Sequence, residues 1–191
     1  MMRKRRSTYK PCLEILEDRL CLSTYSVVDL GTLGGISSGA ADINLSGQVA
    51  GSANTPAAAS HAFLWQNGAM SDLGTLGGTN SYAGGLNNAA QVVGQADTGA
   101  VTSAGYAVYH AFLWQSGTIS DLGALGGPDS YASAINNASQ VQVVGSAQTG
   151  AVDASGNPVW QSVHLAKRRH DRPEQTLAGQ LRVGVAGSFR R

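Results

Sequence analysis

The sequence predicts an all-β protein: tandem four-stranded units of about 45 residues, arranged like propeller blades in an open arc. Three observations carry that expectation. A glycine-rich motif recurs three times at fixed spacing, short β-type runs alternate with turn residues, and helical periodicity is absent between the chain's two ends. A β-solenoid is the structural alternative.

The repeat is the strongest feature. DLGTLGG at Asp29–Gly35 recurs at Asp72–Gly78 and, as DLGALGG, at Asp121–Gly127. Each copy is followed by a second motif: INLSGQVAGSA from Ile43, LNNAAQVVGQA from Leu86 and INNASQVQVVGSA from Ile135. From the Asp to the first Gln of that second motif is 19 positions in all three copies. A third motif, HAFLWQ, begins at His61 and His110, each 11 positions before its Asp. The periods of 43 and 49 residues therefore differ only between the Gln and the His, where six residues enter. Fixed spacing with one elastic gap describes a structural unit carrying a variable loop.

Within a unit, HAFLW reads as the first strand. SDLG is the second, ended by a Gly-Gly pair whose positive φ permits a tight turn. The third runs from Ser-Tyr-Ala into an Asn-rich turn (Asn87-Asn88, Asn136-Asn137), where Asn tolerates left-handed backbone. Gln-Val-Val-Gly is the fourth. On HAFLW, His61, Phe63 and Trp65 share one face while Ala62 and Leu64 share the other. Both faces are mostly apolar, so cover on both sides is expected, as in stacked blades. A buried Trp removes ~200 Å² from water, worth at most ~5 kcal/mol, which makes Trp65 and Trp114 the expected anchors. The extra Gln-Val pair of the third copy keeps side-chain parity and is expected within its strand. Three units are fewer than the four blades a closed propeller needs. Unpaired edges, and association through them, are expected.

Composition narrows the partners. Of 191 residues, all 13 Lys and Arg lie at the two ends, Arg3 to Arg19 and Lys167 to Arg191. Between Thr24 and Ala166 there is no Lys, Arg or Glu, and seven Asp make that middle formally −7. A nucleic-acid surface needs clustered cations to displace counterions from phosphates, so nucleic acid is excluded as its partner. Neutral or cationic ligands remain. No apolar run approaches the ~20 residues of a membrane span. Cys12 and Cys21, if on a helix rising ~1.5 Å per residue, lie roughly 13 Å apart, too far for a disulfide.

Candidate chemistry is sparse, and no catalytic, cofactor or metal residue is assigned. His61 and His110 are the only potential bases in the repeats and have no fixed Ser, Cys or Glu partner, so a packing or hydrogen-bonding role is expected. Asp29, Asp72 and Asp121 fit turn caps better than calcium ligands, because calcium wants about 6–8 oxygens and each unit offers one fixed Asp. The glycine pairs lack the Lys-Ser/Thr of a P-loop and the helix of a dinucleotide site. Exposed Tyr and Trp offer a carbohydrate-stacking surface, although aromatic residues make up only 6% and are mostly needed for core.

HAFLW, DLGTLGG and the "IN…GQVVG" segment together resemble the HAF family of extracellular repeats over roughly Tyr25 to Val159. The resemblance implies an exported bacterial protein of β-rich repeats, and it brings no catalytic residues. Leu13-Glu14-Ile15-Leu16-Glu17-Asp18-Arg19 and Leu22-Ser23 are similar to the N-terminal LExLEDRxLLS element of large exported proteins of planctomycete-type bacteria. The stretch pairs a basic run with an amphipathic segment bearing Leu13, Leu16 and Leu20, without the uninterrupted apolar core of a secretory signal.

The chain thus divides into a basic N-terminal export or sorting element (1–23), a β-repeat region (24–160) and a basic tail (161–191), disordered or out of frame. A 51-residue offset aligns Gly99-Ala100-Val101 with Gly150-Ala151-Val152 and places the next HAFLW near Gln161, where QSVHLAKRRHDRPEQ stands instead. Codons for Lys167 to Glu174 allow a one-nucleotide shift to read SGGTTDLN, close to SGTISDLG at Ser116–Gly123. A reading-frame shift between Trp160 and Lys167 accounts for the break. The expected function is a non-catalytic, extracellular or cell-surface module for binding, adhesion or display, its partner a polysaccharide or another surface protein. The alternatives are a fragment of a carbohydrate-active propeller enzyme and a truncated, nonfunctional product.

Overall fold

The computed structural model describes residues 25–166, which form eleven strands and, among the described residues, no helix. In chain order these are β1 (Ser38–Ile43), β2 (Val49–Asn54), β3 (Ser60–Gln66), β4 (Ala69–Asp72), β5 (Ser81–Leu86), β6 (Val92–Val101), β7 (Ala107–Gln115), β8 (Thr118–Gly123), β9 (Ser130–Ile135), β10 (Gln142–Val152) and β11 (Pro158–Ala166). They build three open antiparallel sheets: β1 to β4, β5 to β8, and β9 to β11. Each strand pairs with its sequence neighbour, so every sheet is a meander. None of the described strands pairs with its counterpart in the next sheet, as the coils of a parallel β-solenoid would. No described helix is long and apolar enough to cross a membrane. Cys12, Cys21, the export element and the tail from Lys167 lie outside the described residues. Strand β11 carries the third sheet six residues past position 160.

The four β-runs of a unit form strands, but the sheets cut the repeat at another point. A sheet starts at the Ser-Tyr-Ala strand, continues through Gln-Val-Val-Gly and HAFLW, and ends at SDLG. DLGxLGG is therefore the passage from one sheet to the next. Its two final glycines do different things. The first is left-handed (φ 97°, 112° and 98° at Gly34, Gly77 and Gly126). The second has no room for a side chain, because a Cβ on Gly35, Gly78 or Gly127 would overlap Asn54, Asp97 or Gln148. These glycines instead donate their N–H groups to the carbonyls of those same residues, at 2.9, 3.0 and 3.1 Å.

Three further expectations are corrected. The Asn-rich turn does not use left-handed asparagine; Ala90 takes the positive φ of 57°. Asn87 acts through its side chain, whose Oδ1 accepts the N–H groups of Ala89 and Gln91, both at 3.0 Å. The extra Gln140-Val141 pair lies ahead of β10, in the loop. Gln142, not Gln140, holds the place of Gln91, bonding Asn136 as Gln91 bonds Asn87. An exposed loop accommodates length more readily than a paired strand. The tryptophans are not the anchors: Trp65 and Trp114 are half-buried, while Phe63 and Phe112 are fully buried. Phe63 and Phe112 sit opposite Gly51 and Gly94 in register; a Cβ on Gly51 would meet the Phe63 ring at 2.8 Å, and one on Gly94 would overlap the Tyr82 carbonyl of the neighbouring strand.

Cover on both faces of HAFLW is what the packing shows. On one face of the first sheet, Ala50, Ala62 and Leu64 join Leu86, Val92, Ala96 and Phe112 of the second. Leu73 and Leu76, from the connecting DLGTLGG, fill the same layer. The second sheet turns Val93 and Ala111 toward Ala132 and Val143 of the third. At the far side of the first sheet, Phe63, Val49 and Ala53 are covered by Leu30 and Leu33 of the first DLGTLGG. The sheets therefore pack face to face in chain order.

Four recurring hydrogen bonds tie the layers with the donor on the earlier sheet, while among the described residues Leu86 N–H alone donates back, to Asp42 Oδ2 at 2.8 Å. Ala62 N–H donates to Ser81 Oγ and Ala111 N–H to Ser130 Oγ, both at 2.9 Å. Ser60 and Tyr109 N–H donate to Asn80 Oδ1 and Asp129 Oδ1, again at 2.9 Å. Asn44 Nδ2 donates to the Asn87 carbonyl and Asn87 Nδ2 to the Asn136 carbonyl, at 3.0 Å. Leu45 and Asn88 N–H reach Asn88 Oδ1 and Asn137 Oδ1, at 3.0 and 2.7 Å. The same four links thus join sheet one to two and two to three, always with the donor on the earlier sheet.

Candidate functional site

Each candidate from the sequence has a definite place. His61 Nδ1 lies 2.7 Å from Asp72 Oδ2, and His110 Nδ1 lies 2.8 Å from Asp121 Oδ2, across β3–β4 and β7–β8. With Nδ1 carrying the proton, each imidazole donates to its carboxylate. The same carboxylates cap the following turn: Asp29, Asp72 and Asp121 Oδ1 accept the N–H groups of Gly31, Gly74 and Gly123 at 2.9, 2.8 and 2.6 Å. One Asp thus closes the turn and, in the two units with a histidine, holds the strand before it. The 11-residue spacing held this pairing in plain view, but spacing gives no distance between side chains. Among the described residues there is no group of three or more His, Cys, Asp or Glu placed to hold a metal.

The feature most open to a ligand is aromatic. Tyr82 on β5 and Tyr109 on β7 lie with ring centroids 6.4 Å apart, tilted at 38°. Tyr131 on β9 and Trp160 on β11 repeat the arrangement one sheet later, at 5.6 Å and 48°. Register explains the recurrence. Tyr82 faces Gln95 and Tyr131 faces Ser146, while Tyr109 faces Asp97 and Trp160 faces Gln148. The first sheet has Gly39 and Ser60 at these places and carries no pair. Tyr82 and Tyr131 keep 37% and 39% of their surface exposed, enough for a ring face to meet solvent.

Between the two tyrosines runs an open groove of ≈ 430 Å³, lined by Tyr82, Gly84, Gly94, Gln95, Ala132 and Ser133 among others. Gly84 shapes its floor, since a Cβ there would meet the Ala132 carbonyl at 2.6 Å and push the two sheets apart. Gln95 and Ser133 supply side-chain hydrogen-bonding groups, and the lining contains no carboxylate. Among the described residues there is no Lys, Arg or Glu, so the groove's described lining carries no Lys or Arg cation.

Sequence reading found the tyrosines only as unplaced aromatics. Tyr82 recurs as Tyr131, but its partner changes from Tyr109 to Trp160 and sits outside HAFLWQ, so no motif flags the pair. Comparison with protein-family models, with curated proteins and with solved structures finds no match to this chain.

Proposed function

We propose that this protein is a non-catalytic, secreted or cell-surface module of HAF-type repeats, stacked as propeller-like blades, that holds a neutral polysaccharide in the groove between its second and third sheets. The recurring aromatic pair beside that groove carries the reading. A sugar ring presents an apolar C–H face that rests on an aromatic ring, while its hydroxyls need hydrogen-bond partners such as Gln95 and Ser133. The formal −7 of the middle region with no Lys or Arg disfavours uronic or sulfated chains. Glycoside cleavage needs two carboxyls about 5–9 Å apart, and the groove lining offers none. The N-terminal resemblance to an export element supports the extracellular setting.

The test is a glycan array probed with the intact protein, carrying neutral and anionic oligosaccharides. Retention on neutral glycans is expected, weakened about tenfold by Tyr82→Ala or Tyr131→Ala with the β-type circular dichroism unchanged. Binding confined to anionic chains, or variants that bind as well as the parent, would remove this groove from consideration. Release of new reducing ends from the bound glycans would favour the enzyme reading instead.

A further inference from the structure

We infer that two copies of this chain join head to tail, the outer face of the third sheet in each receiving the outer face of the first sheet in the other. The inference rests on the propeller-like reading above and goes beyond it by naming the occupant of the two open ends. Each internal junction repeats four links with donors on the earlier sheet and acceptors on the later one, and the first junction adds one in the opposite sense, Leu86 N–H to Asp42 Oδ2 at 2.8 Å. Among the described residues, the third sheet therefore leaves the repeated donor set unmatched on its outer face, and the first sheet leaves the acceptor set on its own.

The register identifies these groups. Ser162 on β11 holds the place of Ala62 and Ala111, because it faces Ser146 as they face Ser52 and Gln95. By the same register Trp160 follows Tyr109. Both N–H groups lie on the edge strand and have no acceptor among the described residues, and Asn136 Nδ2 bonds only Gln142. At the opposite end Ser38 holds the place of Ser81 and Ser130. Like them it donates to a glycine carbonyl, here Gly31 at 2.7 Å, beside Gly74 at 2.6 Å and Gly123 at 2.5 Å. Ser81 and Ser130 also accept an N–H from the preceding sheet, whereas Ser38 has no such donor among the described residues. The Asn44 carbonyl and Ser37 complete the acceptor set, the counterparts of the Asn87 carbonyl and Asn80.

The apolar groups agree. Ile43 stands where Leu86 and Ile135 pack into the two internal junctions, yet it is 65% exposed. Val144 stands where Ala50 and Val93 are fully buried, yet it is 45% exposed. On the first sheet's outer face Leu30 and Leu33 already cover Phe63, Val49 and Ala53, so Ile43 there and Val144 on the third sheet are the apolar groups left to be covered. Two differences weaken the outer junction: His164 replaces Leu64 and Leu113 opposite Val144, and Leu45 replaces the Asn of later sheets. The dimer is therefore reversible. The three described sheets of each copy make six, within the four to eight blades that close a propeller, so the two junctions form together and growth stops at two.

Sedimentation velocity on the full chain tests this. The expected result is a concentration-dependent rise from 19.6 kDa to twice that mass. Ser38→Arg and Ser162→Arg, both at exposed positions, each abolish the dimer. An equal mixture of the two restores one, because one intact junction remains. Amide hydrogen exchange adds the second readout: Trp160 and Ser162 are protected in the parent and exchange freely in Ser38→Arg. A parent chain that stays monomeric overturns the proposal, as does a variant that remains dimeric or a mixture that fails to re-associate. A monomer with Trp160 and Ser162 protected also overturns it, since the chain's own terminal segments then cover the end. The amides of Ala62 and Ala111 separate the two readings. If they are protected in a monomer, face-to-face stacking stands and self-docking alone fails. If they exchange freely, the propeller-like reading fails with it.

Discussion

At the scale of single residues, small polar side chains do most of the positioning. Asp153 closes the β10–β11 hairpin by accepting the N–H groups of Ser155 and Asn157 at 2.8 and 2.9 Å, with the Asn157 amide at 3.3 Å. The Asn157 and Ser155 backbone bonds, helped by the Asn157 side chain, hold its carboxyl below the usual carboxylate range. A carboxyl whose folded pKa is depressed stabilises the fold above its unfolded pKa. That contribution fades as pH falls through the folded value. The β10–β11 turn is therefore expected to loosen in acid, below roughly pH 4. Amide exchange in this hairpin, measured from pH 6 to pH 3, checks it; Asp153→Asn should flatten the acid response. The His–Asp pairs illustrate the same economy, since one carboxylate serves both a turn and a neighbouring strand.

At the scale of elements, the asparagine turn between the first two strands of a sheet is the most heavily used. Asn87 is almost fully buried; its Oδ1 takes two N–H groups, and its Nδ2 reaches Gln91 Oε1 at 2.6 Å and the Asn136 carbonyl at 3.0 Å. Asn87→Ala removes all four contacts and leaves the Gln91 N–H buried without a partner, a loss of about 1–3 kcal/mol. Urea denaturation should show that loss. Asn44→Ala, in a more exposed turn, should lose less. The third copy shows what such a turn tolerates. Gln140 and Val141 enter ahead of the strand, and the Asn136–Gln142 pair still closes the longer loop at 2.9 Å. Which Gln of QVQVVG pairs with the Asn cannot be read from spacing, because both choices keep side-chain parity.

At the scale of the whole molecule, the core is a series of layers rather than one centre. Phe112 lies at the layer shared by the first two sheets, with Leu64 and Ala62 of one and Val92 and Ala96 of the other. Phe112→Ala should therefore cost about 3–5 kcal/mol and uncouple those sheets, broadening thermal unfolding. Trp114→Ala, at a half-buried site, should cost less, and comparing the two melting curves checks the order. The contrast with the composition-based expectation is instructive. Tryptophan is the larger residue, but burial depends on which side chain faces a glycine and a second sheet, and that role falls to phenylalanine.

The sequence by itself determined that the repeat region is β, which short runs form its strands, and that both faces of HAFLW are covered. Alternation along a strand and turn chemistry are local, so a few adjacent residues are enough to specify them. Only the tertiary structure decided where one sheet ends and the next begins, and that asparagines link successive layers. It also decided that Tyr82 and Tyr131 border one groove. Those facts depend on groups brought together from 20 to 50 positions apart, and the same alternating pattern is compatible with several ways of cutting a repeat into sheets. The free energy that selects one of them comes from burial and hydrogen bonding between the sheets, which no single strand contains.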